Sequence, residues 1–198
     1  MHATASTNRF AWRTVDIIVT AVLGVVSGLI FWLWDQAFTP LSAAMAASPG
    51  FVGSLNGGWL FVGVLAAIIV RKPGAALIAS VLAGFIESLI GGNWGFANIP
   101  FALIQGLGAE LAVAIFAYKS SRLVVALIGG LLSGVASAAI TLPLYYPDST
   151  AVFVAIYWIT TLVSGLVLAG LLPWAVARGL VAAGALSRFP VAKSAQVS

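Results

Sequence analysis

Six apolar stretches follow one another along the chain, at about 14–36, 51–70, 74–91, 98–118, 122–145 and 151–176. Lipid offers a backbone no hydrogen-bond partners, so a chain crosses it only as helices or as a closed barrel. A crossing helix needs roughly 20 mostly apolar residues, and each stretch is close to that length. The fold class this implies is an all-α integral membrane protein, a six-transmembrane-helix bundle. The breaks are too short to hold a second domain, so residues 1–198 are expected to form a single membrane domain. Only 7% of the residues are charged, against about 25% in soluble domains, which leaves little of the chain outside the bilayer.

The breaks set the expected orientation. Arg9 and Arg13 precede the first stretch, Arg71 and Lys72 separate the second from the third, Lys119 and Arg122 separate the fourth from the fifth, and Arg178, Arg188 and Lys193 follow the sixth. All nine basic residues therefore fall on one side of the expected bundle. Basic residues favour the cytoplasmic side, so both termini are expected there, with tails at 1–12 and 179–198. The outer loops are then 37–50, 92–97 and 146–150. Within the first, "LSAAMAAS" at 41–48 lies between Pro40 and Pro49 and reads as a short interfacial or re-entrant helix, from which 42–50 either closes over a pocket or stays clear of it. The basic start followed by an apolar run has the look of a signal peptide. However, the run 15–34 exceeds the usual apolar core of about 7–15 residues, and it is expected to stay as the first span.

Residue chemistry excludes several function classes. The chain has no cysteine, and its one histidine, His2, precedes every apolar stretch. Disulfides, thiolate chemistry, His- or Cys-based metal centres and Ser-His-Asp catalysis are ruled out, and no metal or cofactor is expected. The net charge of +4 does not point to nucleic acid, because the basic residues are scattered rather than gathered in a patch. No G-x-x-x-x-G-K-[ST] motif is present, nor a cytoplasmic domain to hold a nucleotide. If transport here uses ATP, the ATPase is a different chain.

Against this background the segment "FIESLIGGNWGF" at 85–96 needs a reason. A carboxylate at mid-bilayer costs on the order of 3 kcal/mol by insertion scales. Counting the helical rise from Gly74 puts Glu87 roughly 20 Å from the inner surface, in the outer third. Glu110, counted inward from Asn98, falls roughly 18 Å below the outer surface, with the Gln105 amide between the two in depth. No intramembrane Lys or Arg is available to neutralise either glutamate. Each is therefore protonated, or it meets a cation or a donor from elsewhere. Glu87 is the strongest ligand candidate. Glu110 has a second reading, as structural glue paired with a Tyr or Ser hydroxyl. Asp35, near the outer end of the first stretch, is either solvated or part of a site.

Aromatic residues lean the same way. Trp and Tyr normally mark both membrane interfaces, as Trp12 and Trp174 do on the inner side. Trp32, Trp34, Trp94, Tyr145, Tyr146, Tyr157 and Trp158 crowd the outer half. An interface belt accounts for any one of them. The excess points to a pocket that stacks a flat or cationic ring, since an aromatic face attracts a cation by about 0.5–2 kcal/mol. The Gly-rich break at 91–95 would let the backbone turn closely around such a cavity, with Glu87, Asn93 and Trp94 facing a small molecule from outside. Small-residue stripes at Thr20/Gly24/Gly28, Ala75/Ala79/Ala83 and Gly130/Gly134/Ala138 would let helices approach closely. Two such stripes suffice to pack the bundle, and a third would be free to dock another membrane protein.

With Arg71-Lys72-Pro73-Gly74-Ala75-Ala76, "ESLIGGNWG" at 87–95 and "QGLGAEL" at 105–111, the chain resembles the YkoE-type substrate-binding (S) components of energy-coupling factor (ECF) transporters, from about residue 12 to 178. The resemblance implies a six-helix, non-enzymatic protein of the bacterial cell membrane that captures a vitamin or its precursor from outside. Thiamine, or its hydroxymethylpyrimidine (HMP) precursor, is the ligand of that branch. The implied partners are a transmembrane coupling (T) protein and two cytoplasmic ATPases. By the same resemblance Glu87, Asn93, Trp94, Gln105 and Glu110 fall on motif positions as substrate-binding candidates. Trp34, Asp35, Tyr146 and Trp158 join them on depth and chemistry: carboxylates can balance a thiazolium or accept from an aminopyrimidine, and Trp or Tyr can sandwich the rings. The Thr20/Gly24/Gly28 stripe would meet the T protein, although many S components carry Ala-x-x-x-Ala there. One rival is a stand-alone, proton-coupled secondary transporter of a small cationic or heteroaromatic solute, working through Glu87 or Glu110; no inverted repeat of broken helices is evident for it. Another is an intramembrane enzyme with a Glu pair as acid and base, which lacks the usual companion groups. A purely structural scaffold leaves the glutamates unexplained.

Overall fold

The computed structural model describes residues 10–195, with side chains through residue 192; His2 and Arg9 lie outside the described residues, as does the Lys193 side chain. All regular structure among the described residues is helical: α1 (Thr14–Ala44), α2 (Gly57–Val70), α3 (Ala75–Leu89), α4 (Asn98–Ile115), α5 (Leu123–Tyr145), α6 (Ala151–Ser164), α7 (Leu172–Ala182) and α8 (Pro190–Ala195). A wide π-helical turn, Gly165–Leu171, joins α6 and α7 into one rod, and 3₁₀ turns at Phe51–Leu55 and Gly95–Ala97 lead into α2 and α4.

Among the described residues, five segments are long and apolar enough to cross a membrane: Thr14–Ala44, Phe51–Val70, Gly95–Ile115, Leu123–Tyr145 and Ala151–Ala182. The sixth apolar helix, α3, has 15 residues, about 22 Å of rise against a hydrocarbon core of about 30 Å. Its limits are set by backbone turns at Gly74 (φ +87°) and Gly91 (φ +93°), a left-handed conformation that glycine adopts without penalty.

α2 is the hub. Every residue from 62 to 70 is buried, as expected of a helix that is apolar all round, and α1, α3, α4, α5 and α7 all pack against it. α3 lies between α1 and α4, and α5 packs on α4 and on the π-helical turn.

The small-residue stripes are all used inside this bundle. Thr20, Gly24 and Gly28 are buried and face α3, where a Cβ on Gly28 would lie 2.6 Å from Ile86 Cβ and 2.8 Å from the Ala83 carbonyl oxygen. The outward face of α1 carries Ile18, Val22, Leu29 and Leu33 instead. Ala75, Ala79 and Ala83 are fully buried, and Gly130 abuts the backbone of Gly165 and Gly170. No third stripe is left on the surface, because each one lets a neighbouring helix of the same chain come close.

α1 also runs further than its apolar stretch. It continues through Pro40 to Ala44, 31 residues in all, or about 46 Å. Residues 41–44 are thus its last turn and not a separate interfacial or re-entrant helix. Proline's φ is helix-compatible although it loses one backbone hydrogen bond and crowds the preceding turn, and Leu41, Ala43 and Ala44 after it are strong helix formers.

The described basic residues gather at one end. There Trp12 Nε1 donates to the Pro73 carbonyl (3.2 Å) and Arg71 Nε to the Tyr118 carbonyl (3.0 Å). Arg13 pairs with the buried Asp16 at 2.7 Å and lies 5.8 Å from the centroid of the Phe189 ring.

Candidate functional site

At the opposite end lies a cavity of about 260 Å³. Phe38 from α1, Trp59 from α2 and Trp94 from the 90–97 loop make one part of its lining, and Tyr145, Tyr146 and Tyr157 from α5 and α6 make another. The first three rings meet edge to face, with Phe38–Trp94, Phe38–Trp59 and Trp59–Trp94 centroids 5.2, 5.4 and 5.5 Å apart. Such contacts lock ring orientation, and each is worth about 0.5–1.5 kcal/mol beyond burial. Tyr146 and Tyr157 meet at 5.5 Å.

The polar lining includes three amides, Asn56, Asn98 and Gln105, with the hydroxyls of Ser137, Thr141 and the tyrosines. Each amide donates to the protein, Asn56 twice and the other two once each. Asn56 Nδ2 donates to the Tyr157 hydroxyl (2.8 Å) and to Thr161 Oγ1 (2.9 Å), and Gln105 Nε2 donates to Ser137 Oγ (3.3 Å). Asn98 Nδ2 donates to Glu87 Oε2. The amide carbonyl oxygens have no donor among these bonds, so the three amides offer the cavity acceptors, beside the hydroxyls of the same lining.

Glu87 imposes that orientation on Asn98. It is 1% exposed and sits behind the lining rather than in it. Its Oε1 accepts from Trp59 Nε1 at 2.9 Å, and its Oε2 accepts from Asn98. With both oxygens accepting, the NH₂ of Asn98 is turned toward Glu87 and the Trp59 ring is held edge-on. Asp35 sits alongside. A Cβ built on Gly92 would meet Glu87 Cγ at 2.9 Å and Asp35 Oδ2 at 3.0 Å, so only glycine lets the loop pass over both acids. Asp35 Oδ2 accepts from the Asn93 N–H (2.8 Å), and the Asn93 side chain donates back to the Asp35 carbonyl (3.1 Å). This clasp pins the loop that carries Trp94 to α1.

Of the residues singled out from sequence, Trp94, Gln105 and Tyr146 line the cavity. Glu87, Asp35 and Asn93 form the layer behind it. Trp34 lies in that layer too, donating to the Leu55 carbonyl (3.0 Å) and meeting Trp59 edge-on at 6.2 Å. Trp158 lines a separate shallow cleft with Ala138, Leu142 and Pro147. Residues 42–50 do not line the cavity.

Glu110 is at the other end of the bundle. It accepts from the Gly74 N–H (2.7 Å), the Ala76 N–H (3.0 Å) and the Tyr118 hydroxyl (2.8 Å). A carboxylate on the first N–H groups of α3 caps that helix and complements its dipole, the structural-glue reading with a Tyr partner. In neither glutamate do the oxygens wait for a guest, because donors of the protein itself engage them. Asn56, Trp59, Asn98 and Phe101 are lining residues that sequence reasoning passed over. The signal available was an amide at the start of each of two helices, Asn56 at α2 and Asn98 at α4, which also suits a plain interface residue.

Comparisons with known proteins agree with this architecture. The family model described as the ABC-type cobalt transport system, permease component, matches residues 15–136. YkoE of Bacillus subtilis (strain 168), named provisionally as an HMP/thiamine permease protein, is 32% identical over 186 residues, covering 92% of each chain. A crystal structure of an S-component of an ECF transporter superposes with a TM-score of 0.87 at 30% identity, covering 94% of each chain. Fold and cavity together define an S component, a multi-pass, non-catalytic transport subunit of the bacterial plasma membrane. The chain belongs to the YkoE-like family of such components.

Proposed function

We propose that the chain captures a small amine-bearing heteroaromatic, HMP or thiamine, from the extracellular side and releases it inward only with a T protein and two ATPases. In this reading α1, the Phe51–Val70 segment, α3, α4, α5 and the α6–α7 rod make six crossings, with both termini cytoplasmic. The positive-inside rule supports that orientation, since the cavity lies opposite the basic turns.

The observation that supports the ligand class is the set of amide carbonyl acceptors between aromatic rings. Carbonyl oxygens of Asn56, Asn98 and Gln105 suit a ligand that donates through N–H, and ring faces of Trp59, Trp94 and Tyr146 suit a flat heterocycle. These are poor ligands for a cobalt ion, which prefers imidazole, thiolate or carboxylate donors. The volume of about 260 Å³ lies below the usual range of about 300–1,000 Å³ for drug-sized ligands, which favours the single-ring HMP over two-ring thiamine. Glu87 positions Asn98 and Trp59 for this ligand, and the Asp35–Asn93 clasp holds Trp94 across it.

The test is uptake of labelled HMP in cells that cannot otherwise import it. Co-expression with a cognate T protein and ATPases is expected to give uptake that stops when ATP hydrolysis is blocked. Uptake by this chain alone, abolished by collapsing the proton gradient, would establish the secondary-transporter reading instead.

A further inference from the structure

Asp35 is fully buried, and its Oδ1 is the one buried side-chain oxygen or nitrogen, among the described residues, that has no hydrogen-bond partner. Its Oδ2 is engaged by the Asn93 N–H. The Glu87 carboxyl stands within hydrogen-bond reach of it and already accepts from Trp59 and Asn98. If both acids were ionised, each would offer the other only acceptors. Two buried anions in contact repel, and a buried oxygen without a donor is costly. No neighbouring cation relieves this. The parts of α1 to α4 and of the loop around the pair are residues 31–39, 56–62 and 83–105, and Asp35 and Glu87 are the only titratable side chains in them. The opposite lining of the cavity adds the hydroxyls of Tyr145, Tyr146 and Tyr157, and Asp148 beyond it is exposed.

We propose that Asp35 and Glu87 share one proton, carried on Asp35 Oδ1 and donated to a Glu87 oxygen, and that this proton latches the Trp94 loop over the cavity. A carboxylate oxygen accepts in more than one direction, so Glu87 takes this third bond without releasing Trp59 or Asn98. The pair then carries one negative charge instead of two, and that charge rests where three donors meet it. The consequence is mechanical. Asp35 holds the loop to α1 through Asn93, Glu87 on α3 holds α2 and α4 through Trp59 and Asn98, and Gly92 passes over both acids. Four helices and the loop therefore meet at the proton. When it leaves, two adjacent anions push the clasp and Trp94 away from Trp59. The closed arrangement holds the proton more tightly than an open, hydrated one, so each opening releases one proton to water and rising pH favours the open form.

Infrared difference spectroscopy of the ligand-free protein in lipid nanodiscs, titrated from neutral to alkaline pH, tests this without reference to the transported solute. A C=O band of a neutral carboxylic acid is expected at neutral pH. It should give way to carboxylate bands in step with a change in tryptophan fluorescence as the pH rises. Asp35→Asn and Glu87→Gln each put an amide hydrogen in place of the proton, so the neutral-acid band should vanish and the fluorescence stay flat over the same range. Should neither variant fold, the parent protein labelled with carboxyl-¹³C aspartate decides. The label should move the neutral band, which neither the ion-paired Asp16 nor the exposed Asp148 supplies. A second arm, HMP affinity, rests on the ligand reading above: Kd should rise by up to about tenfold per pH unit once the proton is lost. Failure of HMP to bind at any pH would refute that ligand reading, while the infrared result still decides the proton. Absence of a neutral carboxyl band at neutral pH, its persistence in both variants, or a band unmoved by the aspartate label overturns the inference. A carboxylate signal that responds to sodium instead also overturns it, because a metal cation would then join the two acids.

Discussion

Glu87 and Glu110 are the same residue type on adjacent apolar helices, 1% and 8% exposed, yet they serve opposite ends of the bundle. Glu110 accepts from two backbone N–H groups and a tyrosine. Its partners are fixed by the chain path, so it caps α3 and holds the α2–α3 turn against α4. Glu87 accepts from two side chains that line the cavity. Its partners could rotate, so it decides which atoms of Asn98 and Trp59 the cavity presents. Burial and residue type do not separate these roles. The identity of the donor does.

Substitutions at the two sites should therefore separate stability from binding. Glu110→Ala has the largest expected effect. It leaves the Gly74 and Ala76 N–H groups and the Tyr118 hydroxyl without their acceptor, and at about 1–3 kcal/mol per buried unsatisfied group stability should fall by on the order of 4 kcal/mol. Denaturant unfolding in detergent would measure this, with the ligand Kd of the folded fraction changed less than twofold. Weakened binding without lost stability would break the comparison.

Glu87→Gln should do the reverse. The amide has one acceptor oxygen for the two donors of Trp59 and Asn98, and a buried donor left unsatisfied costs about 1–3 kcal/mol. HMP affinity should drop roughly 10- to 100-fold in a tryptophan-fluorescence titration, with little change in the unfolding midpoint. Trp94→Ala comes next. Loss of ring contacts of about 0.5–1.5 kcal/mol should raise Kd by up to about tenfold, measured by calorimetry. Trp158→Phe sharpens the comparison from the other side: Trp158 lines a different cleft, so Kd should stay within twofold of the parent.

Much of the fold is legible in the sequence because lipid imposes it. The tight turn at 71–74, the Gly91 break and the break after Tyr145 follow from runs of apolar residues ending at charge, glycine or proline. Pro40 misleads, because proline disfavours a helix without always ending it, and α1 runs on through it to Ala44. Glu87 and Glu110 are legible as buried acids for the same reason that they are costly. Their partners are not. Counting helical rise measures depth along a residue's own helix and says nothing of where the short α3 begins, so Glu110 reads as mid-membrane although it meets Gly74 at the basic end. Thr20, Gly24 and Gly28 announce a close helix contact without naming α3 as the neighbour. Asn56 and Asn98 are silent in one dimension, since an amide ahead of an apolar run looks like an ordinary interface residue until Tyr157 and Glu87 are brought against it.

The central claim is that amide carbonyls, turned inward by their protein partners, select a ligand through its N–H donors. Parallel titrations of the purified protein with HMP and with the analogue whose exocyclic amine is replaced by hydrogen test it directly. HMP should bind at least about tenfold more tightly, a difference of about 1.4 kcal/mol or more. Equal affinity for the two compounds would contradict the account.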